Sequence, residues 1–171
     1  MDVTEAIRTR RSIRSYKNDR VPEDVLNDVF DAFRMAPSAN NEQPWKLIVV
    51  RDEQIKEWMV QACSGQSFIA EADAICVACG LPNRSTIGGY TTSLYVDVAI
   101  AMDHLILAAR SHGLGTCWIG AFDEEAVKKL LNIPKDVRVI AVTPLGVPSH
   151  QGGSANRKPL DQVICHEKYE V

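Results

Sequence analysis

Hydrophobic residues recur at helical spacing in VPEDVLNDVFDAFRMAPS, where Val25, Leu26, Val29, Phe30 and Phe33 share one face. Pro22 suits the start of that helix and Pro37 follows its end. DVTEAIRTR predicts a shorter helix whose basic end runs into an Arg/Ser segment. WKLIVV (45–50) and AICVAC (74–79) are apolar runs of strand length, with a helix, DEQIKEWMVQAC, between them. In LYVDVAIAMDHLILAA (94–109) only Asp97, Asp103 and His104 interrupt the apolar pattern, which predicts a helix packed on nearly all sides, central to the domain or within a subunit interface. Gly113 and Gly115 supply its stop before a short strand, TCWIG. FDEEAVKKLL predicts a helix capped by Asp123 and ended by Pro134, and VRVIAVTPLGVP a last strand. Helices and strands mix without a regular βαβ alternation, so the class is α+β.

The chain has 171 residues, enough for one domain with its own core, and no repeat or linker divides it. The central apolar run falls short of the roughly 20 residues that span a bilayer, and its two aspartates are costly there. The start, MDVTEAIRTR, lacks the apolar core of a signal peptide, so a cytoplasmic address is expected. Five cysteines then read as reduced thiols. Cys76 and Cys79 form a CxxC, but inside a strand their side chains point to opposite faces, and no second CxxC completes a zinc site. Packing is the expected role. His104, His112, His150 and His166 show no metal-binding or acid–base spacing.

Charge brings the first candidate chemistry. Arg8, Arg10, Arg11 and Arg14 crowd into RTRRSIRSY beside Ser12 and Ser15, in a chain with 19 Lys and Arg against 22 Asp and Glu. Setting those four aside leaves 15 cations, so the basic charge is a local spot on an acidic molecule. A nucleic-acid binder would carry a broader positive footprint. A membrane surface, a protein partner, a small phosphorylated ligand and plain solvation remain open for this segment.

Two further stretches are unusual. APSANNEQPW (36–45) sets Ser38, Asn40, Asn41 and Gln43 between Pro37 and Pro44: a loop able to hydrogen-bond a polar ligand, or an ordinary turn, which composition alone favours. GLGTCWIG (113–120) flanks Trp118 with small residues, and is either a close-approach surface for a flat ligand or a helix stop followed by a core strand. The tail carries one more basic pair, Arg157 and Lys158. No GxGxxG, Walker A, HExxH or nucleophile-elbow pattern occurs, so a Rossmann-type nucleotide site is unsupported.

In order along the chain, RRSIRSY, APSANNEQPW, GLGTCWIGAFD, PLGVP and NRKPL resemble the FMN-dependent nitroreductases, in particular their compact members. The resemblance spans nearly the whole chain, 1–171, as one FMN-binding domain. It implies an α+β fold with a central mixed β-sheet flanked by helices, and an interwoven homodimer with two FMN molecules at its interface. It also implies that Arg10, Arg11, Ser12 and Arg14 bind the FMN phosphate and ribityl chain, with Arg157 and Lys158 clamping the same phosphate from the tail. Arg8 has no counterpart role and is expected in solvent. Pro37, Ser38, Ala39 and Asn41 would reach the neighbouring subunit's flavin, and Ile119 and Gly120 would bring backbone toward its reactive N5 edge. Longer members often place a lysine near the pyrimidine edge; CSGQSFIAEA has none, and Gln66 is the available donor there.

The implied activity is NAD(P)H oxidation by a ping-pong route, NADH or NADPH reducing the flavin and a nitroaromatic, quinone or similar small planar acceptor reoxidising it. No catalytic side chain and no metal are expected, nor a nucleic-acid or membrane partner. The alternatives are a non-catalytic flavin-binding or redox-sensing protein, and a flavin-consuming or dehalogenating relative.

Overall fold

The chain runs through α1 (Val3–Thr9), α2 (Glu23–Arg34), β1 (Trp45–Val50), α3 (Glu53–Ala62), α4 (Phe68–Glu71), β2 (Ala74–Gly80), β3 (Thr86–Ile87), β4 (Thr91–Thr92), α5 (Leu94–Ser111), β5 (Gly115–Thr116), α6 (Glu124–Leu131) and β6 (Arg138–Gly146). The computed structural model describes residues 1–153 and 156–169. Ser154 and Ala155, in the Gly/Ser/Asn start of the tail, and Glu170 and Val171 lie outside the described residues.

Four strands form one sheet in the order β1-β2-β6-β5, and β3 and β4 pair as a separate hairpin. Every ladder is antiparallel. Among the described residues, the mixed character expected of the sheet is confined to a single parallel bridge between Ser12 and Thr116.

All of β2 is buried, and its alternation divides the core in two. Cys76 and Ala78 pack with α2 and α5, among Leu26, Val29, Phe33, Val98, Met102 and Leu105. Ile75, Val77 and Cys79 face the other side, among Met59, Val60, Ile69 and Val127 of α3, α4 and α6. The CxxC pair thus straddles the sheet, as strand periodicity requires. Burial pushes the Cys76 thiol up to about 12 and Cys79 to about 11, so both stay protonated and pack as small apolar groups.

Local signals explain where the helices begin and end. Asp52 and Asp123 accept the amides of Ile55 and Ala126 at 2.9 and 3.1 Å, capping α3 and α6. α5 extends two residues beyond the apolar run and stops at Gly113, whose φ of +76° lets Leu114 donate back to the Ala109 carbonyl at 2.9 Å. No helix among the described residues is long and apolar enough to cross a membrane.

The expected strand TCWIG is broken. Pairing with β6 holds for Gly115 and Thr116, but the Cys117 amide turns to the Thr143 hydroxyl at 3.1 Å. Ladder contact resumes only at Ile119, which exchanges both backbone bonds with Val142 at 2.8 and 3.2 Å.

Candidate functional site

The Arg/Ser segment is held as an irregular strand between the exits of β5 and β6. Ile13 donates to the Thr116 carbonyl at 2.9 Å, Lys17 to Val147 at 2.9 Å, and Ser149 donates back to Ser15 at 3.0 Å. The Tyr16 ring is buried beneath it, its hydroxyl donating to the Ile13 carbonyl at 2.9 Å, and burial raises its pKa well above the ordinary phenol value. Alternation along this segment leaves Ser12 and Arg14 exposed while Ile13 and Tyr16 anchor it.

Two cavities open along the segment. One, about 440 Å³, is lined by Arg10, Arg11 and Ile13, by Arg110 and Thr116, and by the chain entering the tail at Gly152. Its neighbour, about 310 Å³, takes in Ser12, Arg14 and His150 and shares Ile13 and Gly152 with the first. The tail approaches so closely that a Cβ on Gly152 would lie 2.6 Å from the Arg11 Cβ. Among the described residues, no Asp or Glu lines either cavity. Among the described residues, Arg10, Arg11, Arg14 and Arg110 have no carboxylate within ion-pair distance.

These guanidiniums are not equivalent. Arg11 Nη1 donates to the backbone carbonyls of Arg8 and Arg10 at 2.8 and 2.7 Å, so part of its fork braces the turn out of α1. Arg8 is exposed and makes no ion pair among the described residues. Arg157 and Lys158 are exposed and line neither cavity, and Arg157 Nη1 donates to the Asn156 carbonyl at 3.0 Å. Arg110, absent from the sequence reading, is inside. A single cation in the last turn of a helix ordinarily signals only the helix dipole, and nothing in its local sequence marks it out.

The 37–41 loop lies elsewhere on the chain's surface and lines neither cavity. It is a tight 3-10 turn in which Asn40, Asn41 and Gln43 all adopt positive φ, 51°, 54° and 50°. Short polar side chains tolerate that region better than others. Ser38 Oγ accepts the Gln43 amide at 2.9 Å, and Asp97 Oδ1, on the first turn of α5, accepts the Ala39 amide at 3.1 Å. Asn40 bonds Ser85 at 2.9 Å, and Ser85 donates to Glu42 at 2.7 Å, tying the loop to the segment that leads into the β3–β4 hairpin. Pro37 and the Asn41 side chain remain exposed. The loop is therefore both a turn and a rigid platform.

At the third stretch the backbone separates two neighbours. Both backbone polar groups of Ile119 are committed to Val142, and its side chain is in the core. Gly120 is exposed, its amide has no partner among the described residues, and a Cβ there would meet nothing within 4 Å. Gln66 Nε2 donates to the Cys63 carbonyl at 2.9 Å and the Ala121 carbonyl at 3.3 Å. Two carbonyl acceptors fix the amide orientation, so the donor end of Gln66, expected to face a ligand, bonds its own protein here. It ties the 63–66 loop to the residue after Gly120.

An arginine-lined cavity without counter-charge, a preformed polar loop and an uncommitted glycine amide suit an elongated ligand with one anionic end. The Nitroreductase family profile matches residues 7–82 and 67–147. A candidate NADH dehydrogenase/NAD(P)H nitroreductase of Methanothermobacter thermautotrophicus is 34% identical over 167 residues, covering 95% of this chain and 86% of that protein. FMN reductase [NAD(P)H] of Bacillus subtilis is 30% identical over 185 residues, covering 98% and 74%. The crystal structure of a nitroreductase family protein from Clostridium novyi superposes with a TM-score of 0.83 at 35% identity, over 87% of this chain and 86% of the other. With the two-faced α+β sheet already in place, these matches mean that the chain belongs to the nitroreductase family.

Proposed function

We propose that this chain is an FMN-dependent NAD(P)H oxidoreductase of the nitroreductase type, a single FMN-binding domain working as a homodimer. The observation that carries it is the cavity at the RRS segment: three guanidiniums and, among the described residues, no carboxylate, on a protein of net charge −3. Like charges gathered without a counter-charge fit an anionic ligand, and the guanidinium fork matches phosphate oxygens. Arg10, with Ser12 and Arg14 in the adjoining cavity, holds the phosphate and ribityl end. The Gly120 amide, exposed and without a partner among the described residues, donates to the ring.

Bound FMN would supply the redox chemistry, taking hydride from NADH or NADPH and passing it, after that nucleotide leaves, to a nitroaromatic, quinone or other planar acceptor. The protein's part is binding, orientation and exclusion of water. Pro37, Ser38, Ala39 and Asn41 contribute a rigid edge toward the partner's site. Arg157 and Lys158 are assigned to the phosphate only by way of the tail, whose near end already passes Arg11. Exposed apolar side chains on α1, after α2 and along the tail, Val3, Ile7, Met35, Leu160, Val163 and Ile164, offer surface for a second copy to cover.

The test is the absorption spectrum of the purified protein, anaerobic titration with each nicotinamide, and steady-state oxidation of NADH or NADPH with a quinone or nitroarene. A flavin spectrum bleached by nicotinamide, with turnover, is expected. Flavin without turnover on any acceptor would replace the enzyme with a flavin-binding sensor, and failure to take up FMN would remove both.

A further inference from the structure

We propose that Arg110, in the last turn of α5, is a direct ligand of the phosphoryl group in the FMN site. The inference rests on the FMN reading above and names a residue outside the motifs that led to it.

The geometry prepares this side chain for an anion. Thr9, the last residue of α1, donates its hydroxyl hydrogen to the Glu5 carbonyl at 2.7 Å, which leaves the oxygen's lone pairs to accept Arg110 Nε at 3.0 Å. That anchor fixes the guanidinium plane while leaving both Nη groups without a protein acceptor among the described residues. Arg110 is half-buried and lines the same cavity as Arg10 and Arg11. Arg11 meanwhile has one nitrogen committed to two backbone carbonyls. A fork held through Nε, on a side chain that lines a cavity without a carboxylate among the described residues, suits bidentate recognition of phosphate. A purely structural Arg110, serving the helix C-terminus and Thr9, would have no need of two unpartnered Nη groups beside two other arginines.

Riboflavin has the same ring and ribityl chain as FMN and lacks the phosphate, so the pair of ligands isolates the contact. Flavin fluorescence quenching on the full-length protein, stripped of flavin, gives Kd for each ligand with wild type, Arg110→Met and Arg110→Lys. Arg110→Met is expected to raise the Kd for FMN roughly tenfold or more and leave that for riboflavin unchanged, in keeping with a lost charge-assisted bond. Arg110→Lys, which keeps the charge without the fork, should fall between, and it carries the same test if the methionine variant folds poorly. An unchanged FMN Kd, or equal losses for FMN and riboflavin, overturns the proposal, the second because it marks a structural role. A wild type that holds riboflavin as tightly as FMN overturns the FMN reading itself, and the inference with it.

Discussion

Asp97 Oδ1 accepts the backbone amide of Ala39 at 3.1 Å, across 58 residues of sequence. The other carboxylate oxygen accepts the Ser93 hydroxyl at 2.8 Å, and Asp97 is only 4% exposed. A polar residue that looks like a flaw in an apolar helix is thus the pin that sets the 38–43 loop on α5. Its charge sits in the first turn of that helix, where the dipole favours it.

Asp97→Ala leaves the Ala39 amide and the Ser93 hydroxyl without their acceptor, so the expected cost is about 2 kcal/mol of stability, read by urea unfolding. Asp97→Asn keeps one acceptor oxygen and should lose less. Equal stability of the alanine variant and wild type would mean the pin carries no load.

Gly120→Ala separates structure from ligand. The added methyl meets no protein atom within 4 Å, so thermal unfolding of the flavin-free protein should move by less than about 0.5 kcal/mol. With ring binding at that amide, affinity for both FMN and riboflavin should fall together, in contrast to the phosphate-selective pattern set out for Arg110. Full affinity in this variant would place the ring elsewhere.

Gly152→Ala tests the approach of the tail to the RRS segment, because its Cβ would stand 2.6 Å from Arg11 Cβ and 3.1 Å from the Ser12 carbonyl. Either the tail or the segment must shift, and a destabilisation of about 1–3 kcal/mol is expected, as for other overpacked sites. Calorimetry of the variant checks it; a neutral substitution would show that the two segments are not in register.

Glu124 anchors the start of β6. Its hydrogen bonds from Arg138, at 2.9 Å each, and from the Val139 amide, at 2.9 Å, hold its carboxyl down at about 2 from an ordinary 4.5. A pKa lower in the folded than in the unfolded chain stabilises the fold fully above about pH 4.5, and the contribution disappears as pH falls toward 2. Glu124→Gln should therefore be less stable than wild type at pH 7, by about 1 kcal/mol once solvent screening of Arg138 is allowed for, with the gap closing in acid. Chemical denaturation at pH 7 and pH 3 measures it; a gap that persists undiminished at pH 3 would refute the assignment.

Much of the architecture was legible because periodicity is a local property. The α2 stripe from Val25 to Phe33, the two-faced β2 and the Asp123 cap follow from residues close in sequence. What escaped depends on distant partners. TCWIG has a strand's composition, yet Thr143, on another strand, captures the Cys117 amide and breaks it. Gln66 is visible in sequence as a donor, but not the Cys63 and Ala121 carbonyls that its amide meets. The 36–45 loop was readable as polar, but not the positive φ at three of its residues or the carboxylate beneath it. Arg10 and Arg11 were visible as part of a cluster, whereas Arg110 joins them only through the packing of α1 on α5.

The ladder between β2 and β6 also shapes how the polypeptide is made. Ala74–Gly80 has apolar side chains on both surfaces, and its mate on one edge, Arg138–Gly146, emerges from the ribosome much later. Until then that edge of the segment lacks its partner, although the helices that cover its two faces all precede Arg138–Gly146, so the nascent chain passes through an aggregation-prone interval that the long separation of the two strands prolongs.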